Sequence, residues 1–178
     1  SAYQSGVNKL SFKLDFDQFE DEFPQIENQR FYGFKQLNLK NNYADKSFIR
    51  EKVASDLFAD FGLVSPKTAF YRVFVDYGEG SVYFGLYTLV EEVDDTVIET
   101  AFSNETGNLY KPDGRAATFA EGSFNVTDMN KKTNKKSKDF SDVQQLSSLI
   151  NSSLRLQNPE GWKSQLSEIF DVPVFLKW

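Results

Sequence analysis

The stretch "KTAFYRVFVDYGEGSVYFGLYTLVEEV", residues 67 to 93, decides the fold. Two runs rich in β-branched and aromatic residues flank Tyr77–Gly80, whose two glycines supply the backbone freedom of a tight turn. The reading is a pair of adjacent antiparallel strands. Upstream, "ADKSFIREKVASDLFADFG" (44 to 62) reads as a helix, with Asp45 or Ser47 capping its start and Gly62 just past its last turn. Ile49, Val53, Leu57 and Phe61 recur every fourth residue, Ala54 and Phe58 widen the stripe, and the stripe is expected to face a core. At about 100° per residue Arg50 falls inside that apolar arc, between Leu57 and Phe61, so its guanidinium must snorkel or meet an anion.

Further upstream, Lys9–Phe19 alternates strictly, Leu10, Phe12, Leu14 and Phe16 against Ser11, Lys13, Asp15 and Asp17, as a half-buried strand does. Arg30–Asn42 reads as a second strand, with Lys35, Leu37 and Leu39 on one face and Gln36, Asn38 and Lys40 on the other. Gly33 within it signals a bulge or a close backbone approach. Downstream come a short helix over residues 94–102, a brief strand at "GNLYKP" stopped by Pro112, and a weak hairpin at "ATFAEGSFNV". Asn130–Asp139 carries five lysines and no apolar residue, and reads as a solvated loop. Helical spacing follows at Val143, Leu146, Leu149 and Ile150, then at Trp162, Leu166, Ile169 and Phe170. The final "FDVPVFLKW" starts a helix, with Asp171 as cap and Pro173 in the first turn. So short a helix is not stable alone, so Phe175, Leu176 and Trp178 are expected to seek a surface in a segment meant to continue.

At 178 residues and 40% hydrophobic, the chain has one domain's worth of core. It has no run of about 20 apolar residues, so no membrane span is expected. Net charge −6 opposes nucleic acid and anionic membranes as partners. Zero Cys and zero His exclude zinc fingers, thiol nucleophiles and histidine bases, which leaves carboxylates, lysine, arginine, hydroxyls or a bound ion for any chemistry.

The order strand, strand, helix, paired strands, helices is the layout of a protein-kinase N-lobe, an α+β arrangement in which a helix is inserted into a twisted antiparallel sheet. The segments "FYGFKQLNLKNNYADKSFIREKVASDLFADFGL", "YFGLYTLVEEVD", "GNLYKP" and "FDVPVFLKW" resemble successive motifs of the CotH family, atypical kinases named for a bacterial spore-coat protein. The resemblance implies ATP- and Mg-dependent phosphorylation of Ser or Thr in a protein substrate, at the spore coat or the bacterial cell surface or exterior. It also implies a division into residues 1–128 as the kinase-like N-lobe, 129–139 as a Lys-rich loop and 140–178 as the helical start of a C-terminal lobe. The family's metal-binding aspartate motifs do not follow: there is no His-Arg-Asp, Asp-Phe-Gly or Pro-Trp-Asp. The chain is therefore expected to be the nucleotide-side part of a larger enzyme, inactive alone, with a lobe surface open to its missing C-terminal lobe or to a second copy.

Phosphoryl transfer needs a cation for the phosphates and a polar partner that fixes it. Lys40 is preferred to Lys35 because it shares the polar face of Gln36 and Asn38; the plain alternative is a surface lysine at a strand end. Arg50 is the second cation, and Glu51 stands where a kinase helix carries the glutamate that pairs with the strand lysine. Glu91 and Val93 fall at the expected hinge, whose backbone would bind adenine, although the acidic run there also suits a solvated face. Lys111 is placed to approach the nucleotide, or else is a strand-end lysine before a turn. The competing function is a non-catalytic structural or interaction module of a coat or extracellular complex.

Overall fold

The computed structural model describes residues 9–104 and 106–177. It forms two compact units, Ser1–Ala101 and Phe102–Trp178, so the break falls inside the expected 1–128 lobe. The first unit is built from β1 (Phe12–Asp15), β2 (Gln36–Lys40), α1 (Arg50–Asp60), β3 (Thr68–Asp76), β4 (Ser81–Glu91) and α2 (Asp95–Ala101). Its four strands form one antiparallel sheet in the order β1-β2-β4-β3, with α1 inserted in sequence between β2 and β3. This is the α+β architecture that the strand and helix patterns predict.

The register bears out the two faces read for β2. Leu37 lies opposite Leu14 and Glu91, and Leu39 opposite Phe12 and Leu89, whereas Asn38 lies opposite Lys13 and Val90. Leu37, Tyr87, Thr88 and Val90 are buried, so the centre of the sheet is the core of this unit. Both strands read upstream are shorter than their alternation suggests. Beyond Asp15 the chain turns, with Glu20 N–H donating to the Asp17 carbonyl. Before Gln36, Phe31 and Phe34 exchange two backbone hydrogen bonds around a tight turn. Gly33 serves that turn with φ +87° and nothing within 4 Å of where a Cβ would stand, which corrects the expected bulge or close approach.

Asp45 caps α1 through a turn rather than from the adjacent position: its Oδ2 accepts from Arg50 N–H at 2.8 Å and its Oδ1 from Ser47 N–H at 3.0 Å. At the other end Gly62 has φ +77°, Gly62 N–H donates to Ala59 and Leu63 N–H to Phe58, which satisfies the last carbonyls. The apolar stripe does not face this unit's core. Ile49, Val53, Leu57 and Phe61 are 44–67% exposed, and the buried residue of α1 is Ser55, which hydrogen-bonds the Ser65 hydroxyl and the Pro66 carbonyl. At 100° per residue Ser55 is diametrically opposite the middle of the stripe, so anchoring the helix by its small polar side turns the stripe outward.

The second unit holds β5 (Tyr110–Pro112), β6 (Met129–Lys131), α3 (Ser141–Ile150), α4 (Leu154–Gln157), α5 (Pro159–Ile169) and α6 (Val172–Phe175). β5 and β6 pair antiparallel, with Tyr110 opposite Lys131 and Lys111 opposite Asn130. Ala116, Met129 and Val143 form its core, with Tyr110, Phe119, Phe124 and Phe140 packed around them. Two expectations are corrected here. "ATFAEGSFNV" is no hairpin: 3-10 turns at Gly114–Thr118 and Val126–Asp128 replace it, because the Asp113 and Asn125 side chains accept backbone N–H groups and compete with a ladder. The Lys-rich segment begins in β6 rather than in a loop. Asp171 caps α6 as expected, accepting from Val174 N–H at 3.0 Å, and Phe175 and Leu176 are exposed; Trp178 lies outside the described residues.

Candidate functional site

β2 ends at Lys40, and the next nine residues must carry the chain to the start of α1. Asn41 and Asn42 shape that passage. Asn41 N–H donates to the Ser11 hydroxyl at 3.1 Å, and the Asn41 carboxamide accepts from Tyr43 N–H at 3.1 Å. Asn42 takes φ +55°, a conformation asparagine tolerates, and its Nδ2 reaches the Thr88 hydroxyl on β4 at 3.0 Å. Asp45 then holds the first turn of α1. Hydrogen bonds from Ser47 and from Arg50 N–H keep the Asp45 carboxyl below the usual carboxylate range, against the effect of burial.

These residues enclose an open cavity of about 760 Å3, whose walls include Lys40, Asn41, Asn42, Asp45, Arg50 and Glu51. A pocket of that size suits a small organic ligand, for which roughly 300–1,000 Å3 is usual. The Lys40 ammonium makes no hydrogen bond or ion pair among the described residues, and the Arg50 guanidinium approaches only Asp45 among them, at 3.9 Å, with its side chain 73% exposed. Two cations therefore open into one hollow with most of their hydrogen-bonding capacity free. Along the same face of β2 the other polar groups are engaged: Gln36 donates to Asp15 at 2.5 Å, and Asn38 to Glu92 at 2.7 Å, while Lys13 pairs with Glu92 at 3.5 Å. Among the described residues no three acidic side chains gather as metal ligands.

A family model described as CotH kinase protein matches residues 2–178. The chain belongs to this family. A search of curated proteins finds no match.

Within this CotH chain the six residues singled out from sequence divide into three groups. Lys40, Arg50 and Glu51 share the cavity, yet Lys40 and Glu51 form no ion pair there. Glu91 and Val93 are elsewhere in the first unit. The Glu91 carboxylate is buried and accepts from Lys67 N–H at 2.9 Å, which closes the start of β3, while Val93 lies exposed just beyond β4. Lys111 belongs to the second unit, where it lines a different hollow.

A charge cluster just before β2 was not expected from the sequence. Lys35 Nζ lies 3.1 Å from Asp17 Oδ2, Arg30 Nη1 lies 3.1 Å from the same oxygen, and Arg30 Nη2 lies 3.7 Å from Asp95. Burial opposes ionisation of both Asp17 and Lys35, but their mutual hydrogen bond and attraction win: the Asp17 carboxyl is held low and the Lys35 ammonium is pushed up. The readable signal was a lysine alternating with leucines, which needs an anion as much as an arginine in an apolar arc does.

Proposed function

We propose that this chain is the nucleotide-side part of a CotH-like atypical protein kinase, which transfers the γ-phosphoryl group of ATP to Ser or Thr of a spore-coat, cell-surface or extracellular protein. One observation carries the reading: Lys40 and Arg50, neither held in a close ion pair among the described residues, line a single cavity at the junction of β2 and α1. A nucleotide triphosphate is the ligand of this family's reaction, and in such transfer the protein works by positioning and by neutralising charge. Lys40 would take one phosphate as a point charge and Arg50 would fork two phosphate oxygens. The Asn41 and Asn42 side chains, held by the Lys9 carbonyl before β1 and by Thr88 on β4, form the wall between them. Mg supplies further charge neutralisation in the family's reaction, and no residue here is assigned to hold it. The aspartate motifs that bind metal in the family do not occur in these 178 residues, so this chain by itself is expected to bind ATP weakly and to transfer no phosphate.

A second reading of the phosphate cation rests on Lys35, because it is the lysine just before β2 that a carboxylate holds in place. Titration calorimetry with a non-hydrolysable ATP analogue separates the two. Each charge-assisted contact is worth about 1.5–3 kcal/mol, so Lys40→Ala and Arg50→Ala should each weaken binding by roughly tenfold or more. Loss of binding in Lys35→Met alone, with Lys40→Ala unaffected, would move the site to the other face. Robust phosphorylation by the purified 178-residue chain would overturn the inactive-alone reading.

A further inference from the structure

The segment Asn130–Asp139 carries five lysines against one aspartate in a chain whose net charge is −6. Such a run is ordinarily a solvated loop, but here it is tied down at its centre. The Thr133 hydroxyl donates to the Gly107 carbonyl at 2.9 Å and accepts from Leu109 N–H at 2.8 Å. Asn134 takes φ +48° and its Nδ2 reaches the Thr106 carbonyl at 2.9 Å and Asn108 Oδ1 at 3.0 Å. Lys131 is also part of the frame: its Nζ lies over the Phe140 ring, 4.5 Å from the ring centroid, and donates to the Asp139 carbonyl.

The neighbouring lysines are held out of this frame. Lys111, Lys132 and Lys135 line one hollow of about 440 Å3 on the β5–β6 ribbon, together with Asn130, which the register places opposite Lys111. None of these three lysines makes an ion pair or hydrogen bond through its ammonium among the described residues, although carboxylates outnumber cations over the whole chain. The one carboxylate in the hollow, Asp113, accepts from Gly114 N–H at 2.7 Å and caps a turn. Like charges that line one hollow repel one another. The gathering is relieved when a compact anion enters.

We propose that this hollow binds a phosphorylated peptide segment, its phosphate taken by Lys111, Lys132 and Lys135 with the Asn130 carboxamide donating beside them. A phosphate dianion offers several strong acceptor oxygens to converging ammonium groups. A long polyanion is a poorer fit, because the net negative chain opposes its approach. The peptide as carrier of the phosphate rests on the kinase reading, whose product is a phosphoprotein. The hollow would then retain a substrate already phosphorylated once.

Fluorescence anisotropy on the full chain tests this with two labelled Gly/Ser peptides, one carrying paired phosphoserines and the other plain serines. The phosphopeptide should bind, more weakly as salt rises, and the serine peptide should not. Lys132→Glu/Lys135→Glu should weaken binding at least tenfold, and Asn134→Ala, which loosens the frame but leaves every charge, by a smaller factor. Equal binding of the two peptides, indifference to the charge reversal, or displacement by inorganic phosphate as effective as by unlabelled phosphopeptide would overturn the proposal. The ATP analogue titrated into the same variant keeps the two readings apart: its binding should be unchanged by Lys132→Glu/Lys135→Glu, so failure at one site does not register at the other.

Discussion

Lys35 and Asp17 face each other at 3.1 Å across the start of the sheet, the carboxylate 4% exposed and shared with Arg30. Asp17→Asn leaves two cations beside a neutral amide, and breaking a buried pair by removing one partner costs about 3–5 kcal/mol. Both cations retain some access to water, so the loss should lie toward 2–3 kcal/mol, read from urea unfolding. The depressed Asp17 contributes stability that is present above the ordinary carboxylate value of about 4 and lost as pH falls through its lower folded value. The raised Lys35 contributes stability that is present below about 10.4 and lost as pH rises through its higher folded value. Wild type should therefore show a plateau between those limits, and Asp17→Asn a shallower fall on the acid side.

Asp94 gives the opposite sign. Its Oδ1 accepts from the Thr96 N–H and hydroxyl, but its buried Oδ2 has no partner among the described residues, and burial pushes its carboxyl up. A raised carboxylate is a group whose ionised form the fold disfavours, so its penalty appears as pH rises from the unfolded value through the folded one. Asp94→Asn keeps the acceptor for Thr96 and removes the charge. The melting temperature at pH 7 should rise by a few degrees, about 1 kcal/mol, with no gain at pH 3. A fall at pH 7 would show that Oδ2 is serving a partner.

Much of this fold could be read from residue pattern, and the exceptions share a cause. The β3–β4 hairpin was legible because aromatic and β-branched residues flank two turn glycines, and α1 because period, cap and terminal glycine agree. What pattern could not give was direction. The stripe of α1 is periodic whichever way it points, and Ser55 bonding to Ser65 and Pro66 decides that it points outward. The site shows the same division. Lys40 and Arg50 were readable as cations out of place, whereas the role of Asn41 and Asn42 depends on contacts with Ser11 and Thr88, 30 and 46 positions away. Thr133 and Asn134 likewise turn an apparently solvated lysine run into a fixed one through residues 106 to 109.

The outward stripe carries a prediction of its own. Leu57→Ser and Phe61→Ser should each change unfolding free energy by no more than about 0.5 kcal/mol, as exposed positions do, where a buried leucine would cost about 2–5. If the stripe mediates association with a second copy, light scattering should show concentration-dependent growth in wild type and less in the double variant. A clean monomer at high concentration would remove that role, and a loss of several kcal/mol would mean that the stripe is covered.

The cavity beside Lys40 and Arg50 is the proposed seat of the nucleotide. Backbone amide chemical shifts of the 178-residue chain, recorded while the non-hydrolysable ATP analogue is added, test it most directly. The amides of Asn41, Asn42, Tyr43, Asp45, Arg50 and Glu51 should move together along one saturable curve, and Lys40→Ala should abolish or weaken the response. Shifts centred on Lys35, Asp17 and Arg30 with the 41–51 amides unmoved, or no saturable response at all, would contradict it.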